Sequence, residues 1–170
     1  MLLFKNVIVY INRTLGVFVS YATMIMAVLM FSVVLLRYGF NLGWIGLQES
    51  ITYLHAAVFL LGAAFTFQHD GHVRVDVFYR RFSVRKRAIV DFFGALLFML
   101  PVSIYLFVVC YGYVVESWQL LEGSREPGGL PFVYILKSFL LIFAGSMALQ
   151  AITELLNQGN KIFDKQLVSS

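Results

Sequence analysis

The 170-residue chain is 60% hydrophobic, 16% aromatic and only 13% charged, against roughly 25% charged in an ordinary soluble domain. A compact fold of this size hides about two-thirds of the surface its unfolded chain exposes, so in water the apolar excess would remain as large exposed patches. The net charge of +4 does not point to nucleic acid, because the charges fall at the edges of apolar runs and not in a binding patch.

The first element in chain order is an N-terminal arm over 2–13. Leu3, Phe4, Val7, Ile8 and Ile11 recur at helical spacing, with Lys5, Asn6, Asn12 and Arg13 mostly elsewhere on the wheel, the pattern of a short helix lying in a membrane interface. Between Arg13 and Arg37 come 23 residues without a formal charge, enough to cross about 30 Å of hydrocarbon at helical rise. A span is predicted over 14–36. It is longer than a signal-peptide core, and no convincing cleavage site follows, so the segment is expected to be retained.

Uncharged runs of 20 residues between Glu49 and Asp70 and of 24 between Asp91 and Glu116 predict spans over 50–68 and 92–115. The loop between them carries VRVDVFYRRF, read as a second interfacial helix over 73–82 with Val73, Val77, Phe78, Arg81 and Phe82 on one side, followed by Ser83 as a helix cap. A fourth span over 132–153 is interrupted only by Lys137. Helices are the choice throughout, because in lipid each backbone polar group needs a partner within its own segment or a closed barrel, and MIMAVLMFSVVLL lacks barrel alternation. The chain therefore reads as an all-α membrane protein, one domain over 1–170 with four transmembrane helices and two interfacial arms.

Ten of the thirteen basic residues lie in the two tails and the second loop, including Arg74, Arg80, Arg81, Arg85, Lys86 and Arg87, while Arg37 and Arg125 lie in the other two loops. The positive-inside rule then puts both termini and the second loop in the cytoplasm. With Asp76, this basic loop reads as a cytoplasmic anchor that touches anionic phospholipid. Trp44 and Trp118 fall in the two external loops, where indole rings suit the headgroup level.

Few groups could do chemistry within these spans. Lys137, about 9 Å into its helix at helical rise, is expected to form a structural ion pair with Glu49, or with Glu116 or Glu126; its alternatives are snorkelling to the outer face or contacting a substrate. His55 reads as a hydrogen-bonding group near the outer surface. His69 and His72 lie at the opposite boundary, so no paired imidazoles mark a haem site. Pro101 removes the bond to the Leu97 carbonyl and predicts a kink. Cys110 is alone, which excludes an intrachain disulfide or Cys-based metal centre. Without a nucleotide loop, metal cluster or paired carboxylates, no enzyme and no cofactor are expected.

The stretch Gly71 to Tyr79, GHVRVDVFY, follows a span that begins ESITYLH with Glu49. Together with the outer segment Ser124-Arg125-Glu126-Pro127-Gly128-Gly129-Leu130-Pro131 and the succeeding Lys137, it resembles the small, DctQ-like membrane subunit of TRAP transporters across essentially the whole chain. The resemblance implies a subunit of a sodium-driven secondary transporter for organic acids in the bacterial inner membrane. A separate large membrane subunit would carry substrate and sodium, a periplasmic binding protein would deliver the substrate, and this chain would scaffold and anchor the large subunit. Glu122, Ser124, Arg125, Glu126, Gly128 and Gly129 would then meet the binding protein. The rival readings are a haem- or quinone-binding anchor of a respiratory complex and a small homodimeric transporter, which would need a membrane-embedded carboxylate in its path.

Overall fold

Long uncharged runs leave every backbone N–H to be satisfied within its own helix, and the computed structural model, which describes residues 2–69, 79 and 82–163, contains helices and no strand among them. Four are long and apolar enough to cross a membrane. Helix α1 runs Leu2–Phe40, and α2 runs Ile45–Gln68. Helix α3, Val84–Gly94, continues through a π turn at Ala95–Met99 into α4, Leu100–Gln119. Helix α5 is Val133–Phe163.

The helices outrun the spans expected from hydropathy. The arm over 2–13 is not a separate helix but the first part of α1, a rod of 39 residues and about 58 Å. The sequence offers no Pro between them to break it, and the Thr14 hydroxyl donates back to the Tyr10 carbonyl at 3.0 Å. Helix α2 starts at Ile45, before Glu49, and α5 continues ten residues past Thr153 to Phe163. A charge ends the hydrocarbon-compatible stretch but not the helix. The expected arm over 73–82, with Arg74, Asp76, Arg80 and Arg81, lies outside the described residues apart from Tyr79 and Phe82.

Ser83 does occupy the cap position of α3, yet its hydroxyl makes no capping hydrogen bond; its carbonyl accepts from Arg87 N–H at 3.0 Å. Pro101 shows its effect one turn earlier than its ring. In the π turn Leu100 N–H donates to the Ala95 carbonyl, five residues back, which shifts the hydrogen-bond ladder just where proline supplies no donor. The Ser103 hydroxyl donates to the Met99 carbonyl at 2.6 Å.

Helix α5 forms the middle of the assembly, packing on α2 and on α3 and α4, and α1 packs chiefly on α2 with a lesser contact to α5. The contacts are made by small residues: Ala22, Ala57, Ala64, Ala144 and Ala151 are buried, as expected where close backbone approach rather than the hydrophobic effect joins helices. Only 6% of the α1 span is buried, against 28% for α2, so α1 offers most of its circumference to lipid or another protein.

Gly16 sets how near α1 lies to α2, since a Cβ there would stand 2.3 Å from Phe65 Cδ2. Gly16→Ala is expected to cost about 1–3 kcal/mol through overpacking. Gly112→Ala, on a part of α4 where a Cβ meets nothing within 4 Å, should be neutral or stabilise by about 1 kcal/mol through helix propensity. Thermal unfolding of the two variants in one detergent checks the contrast; equal midpoints would show that the Gly16 contact carries no strain.

Candidate functional site

The loop between α4 and α5 is built from three local devices. At the end of α4, Leu121 takes a left-handed conformation (φ 44°). Glu122 N–H then donates to the Ser117 carbonyl at 3.0 Å and Leu121 N–H to the Trp118 carbonyl at 3.2 Å, the paired bonds of a Schellman ending with leucine where glycine is usual. Next, Glu126-Pro127-Gly128-Gly129 forms a turn in which Gly129 N–H donates to the Glu126 carbonyl at 3.0 Å. Proline second and Gly128 third, at φ 79°, fit a type II turn. Finally Ser124 N–H donates to the Leu130 carbonyl at 2.9 Å, closing the segment into a ring.

Glu49, in the first turns of α2, ties that ring to the bundle. One carboxylate oxygen accepts from the Ser124 hydroxyl, and the other accepts from Leu130 N–H at 2.6 Å. Ser124 Oγ also accepts from Glu126 N–H at 3.1 Å. The glycines make the approach possible. A Cβ on Gly129 would stand 2.4 Å from Ser124 Oγ and 2.9 Å from Glu49 Oε1, and one on Gly46 would stand 3.1 Å from the Gly128 carbonyl oxygen.

This arrangement corrects the expected ion pair. Lys137 pairs with Glu122, not Glu49, because Glu49 is taken up by Ser124 and Leu130, and the Schellman turn directs Glu122 back toward α5. The Lys137 side chain is only 13% exposed, and its ammonium lies 3.8 Å from the centroid of the Tyr113 ring, a cation–π contact. Glu122 Oε2 also accepts from the Ser117 hydroxyl at 2.7 Å.

The Lys137 hydrogen bond first, and the Ser117 hydroxyl second, hold the Glu122 carboxyl below the usual value of 4.5. A depressed carboxyl contributes stability that is present above its unfolded value and lost as pH falls through its folded value. This Lys137–Glu122 latch is therefore expected to hold at neutral pH and to open only below about pH 4.5. Trp118 is a suitable reporter: its indole N–H donates to Ser138 Oγ at 2.8 Å, and its ring meets Tyr134 edge-on at 4.7 Å. Its fluorescence should change in that acid range, and the midpoint should move upward in Ser117→Ala. A wild-type midpoint at or above the usual carboxylate value would contradict the latch.

The residues expected to meet a partner divide in two. Glu122, Ser124 and Gly129 are half-buried and hold the loop's shape, whereas Arg125, Glu126 and Gly128 are exposed at its tip. Trp44, the N-cap residue of α2, and Trp118 are both exposed at this end of the bundle. Sequence reasoning did not give a role to Gly46, Ser117 or Ser138; only Ser117, five residues before Glu122, has a spacing that a Schellman turn would bring together. His55 was expected to hydrogen-bond, but among the described residues its contact is with the Phe59 ring, at 4.6 Å between centroids. At the other end, Arg85 and Lys86 are exposed. Arg87 folds inward, its Nε–H donating to the Phe82 carbonyl at 3.1 Å and its guanidinium lying 5.3 Å from the Tyr79 ring.

Among the described residues no group of three His, Cys, Asp or Glu is placed to hold a metal ion. The site can clamp a loop and present charge; it holds no arrangement of acid, base and nucleophile.

Residues 26–159 match the DctQ component of tripartite ATP-independent periplasmic transporters. The chain is 30% identical over 126 residues to a Haemophilus influenzae protein described as a TRAP transporter small permease protein, covering 72% of this chain and 73% of that one. No solved structure matches. With four helices able to span a bilayer, the chain belongs to the DctQ family as a multi-pass small permease subunit of a TRAP transporter, and it is not an enzyme.

Proposed function

We propose that this subunit is the stationary frame of a sodium-driven transporter for organic acids in the bacterial inner membrane. Both termini lie in the cytoplasm, and the loop tied to Glu49 faces the periplasm. The large membrane subunit, a separate chain, carries substrate and sodium, while this chain scaffolds it and enlarges the area held in lipid. The periplasmic binding protein docks in part on the exposed tip at Arg125, Glu126 and Gly128. The basic cytoplasmic end, including Arg85 and Lys86, anchors the frame against anionic phospholipid.

The observation that carries this reading is the Glu49 clamp. Two hydrogen bonds to one helix fix a short loop whose charged tip stays exposed, and a pre-shaped tip loses less ordering entropy when a partner binds. Charges at the edge of a transient contact act chiefly on encounter and specificity.

Reconstitution tests the reading. The chain alone in liposomes should move no organic acid, and adding the large subunit and the binding protein should give uptake that depends on a sodium gradient. In the complete system Glu126→Lys should raise the binding-protein concentration for half-maximal uptake roughly tenfold, with little change in maximal rate. Uptake by the chain alone, or an unchanged concentration dependence in the variant, would refute the corresponding part.

A further inference from the structure

At the end of the bundle opposite the tryptophans, two cavities join. One, of about 620 Å³, is an apolar trough between α5 and the continuous helix of α3, the π turn and α4, lined by Val90, Gly94, Phe98 and Val102 on one wall and Phe143 and Met147 on the other. The second, of about 740 Å³, is polar and lies at the helix ends, lined by Gln68, Arg87, Asp91, Glu154, Asn157 and Lys161 among others. They share Phe67, Tyr79, Asp91 and Glu154, so the polar space is the mouth of the apolar one. From Gly94 to Leu106 the trough follows the helix for about 18 Å, close to half the thickness of a bilayer's hydrocarbon. The π turn at Ala95–Met99 lies within this wall, and Gly94 supplies no side chain to fill it.

We propose that this groove holds one phospholipid with a primary-ammonium, zwitterionic headgroup, an ethanolamine phospholipid, with an acyl chain in the trough and the headgroup in the mouth. A trough that is apolar along its length and charged only at one end matches an amphiphile with a single polar terminus. The mouth narrows the class further. It carries the exposed Lys161, suited to a phosphate, and the carboxylate of Glu154, together with an Arg87 and an Asp91 that already have partners within the protein. A headgroup with only negative charge would meet both carboxylates, whereas a zwitterion answers both signs. Gln68 Oε1, at the same mouth, is buried without a hydrogen-bond partner. A primary ammonium has three donors to offer such an acceptor, and a trimethylammonium has none. The other groups have partners that shape the mouth: the Tyr79 hydroxyl donates to Asp91 Oδ2 at 2.5 Å, and Gln158 Nε2 donates to Glu154 Oε1 at 2.7 Å. Arg87 is held over the Tyr79 ring.

The full chain, purified in a mild detergent and mixed with equal amounts of dioleoyl phosphatidylethanolamine, phosphatidylcholine and phosphatidylglycerol, tests this by native mass spectrometry. One phosphatidylethanolamine should be retained, roughly tenfold over each of the others, the scale of one charge-assisted hydrogen bond. Gly94→Phe should abolish retention, since Gly94 lines the trough and a Cβ there meets nothing within 4 Å, which leaves the added side chain space on the side the acyl chain would occupy. Lys161→Gln, at an exposed position near the end of α5, should lower retention severalfold even if the groove-filled variant does not fold. Glu154→Gln should reduce the preference for phosphatidylethanolamine over phosphatidylcholine. Equal retention of the three lipids, preference for phosphatidylglycerol, or retention indifferent to both Gly94→Phe and Lys161→Gln would overturn the proposal, pointing to an annular lipid, an anionic lipid, or another protein segment in the groove.

Discussion

Glu49→Ala is expected to free the outer loop while leaving the four helices in place. The substitution removes the acceptor of both the Ser124 hydroxyl and the Leu130 N–H, and it leaves Leu130 N–H in a half-buried position with no replacement partner. The ring bond from Ser124 N–H to Leu130 and the turn bond from Gly129 N–H to Glu126 survive, so the loop keeps some local shape but loses its attachment to α2. Amide exchange at Leu130 should therefore accelerate roughly tenfold or more, with the helical amides of α2 and α5 unchanged. The thermal midpoint should fall by about 5 °C. Glu49→Gln, which keeps one acceptor oxygen, should show a smaller effect. In the complete transporter, Glu49→Ala should mimic Glu126→Lys in its demand for more binding protein, because an untethered tip must be ordered at each encounter. Unchanged exchange at Leu130 would mean that the carboxylate does not hold the loop.

The Glu49 clamp also shows what a sequence can and cannot disclose. Four spans were legible because the hydrocarbon thickness imposes a minimum apolar length, and runs such as that between Asp91 and Glu116 meet it. Helix ends were not, because polar residues such as those after Thr153 in α5 are compatible with helix in water as well as lipid. Glu49 and the SREPGGLP segment were each visible as features, but their contact joins residues 75 and 81 apart, and no local pattern announces a bond of that span. Lys137 stood within plausible reach of several outer glutamates, and the choice of Glu122 depends on the left-handed Leu121, a conformation no propensity favours for leucine. Pro101 gave fair warning of a disturbed helix but not of its form, since a kink and a π turn both relieve the missing donor. The packing itself rests on small residues such as Ala64 and Ala144, both buried, where close backbone approach joins helices.

The second large effect concerns Lys137 and Glu122, whose charges should be worth less singly than as a pair. Lys137→Met is expected to lower the thermal midpoint by about 5 °C, because it removes the ammonium from Glu122 and from the Tyr113 ring and leaves the carboxylate with the Ser117 hydroxyl and the charge of Arg125. Glu122→Gln alone should also destabilise, since it leaves a lysine 13% exposed with reduced compensation. The double variant removes both charges together. Breaking a poorly solvated pair harms mainly through the partner left behind, so the double variant should be more stable than the sum of the single effects implies, with a coupling that vanishes when Lys137 is paired with changes at Glu126 instead. A lysine that merely snorkels to the headgroups would give additive midpoints in the first cycle and no difference between the two. Strong coupling to Glu122 alone would place the end of α4, the outer loop and the start of α5 in one electrostatic unit, separate from the Glu49 clamp on α2, and loss of either should loosen the loop tip without disturbing the other.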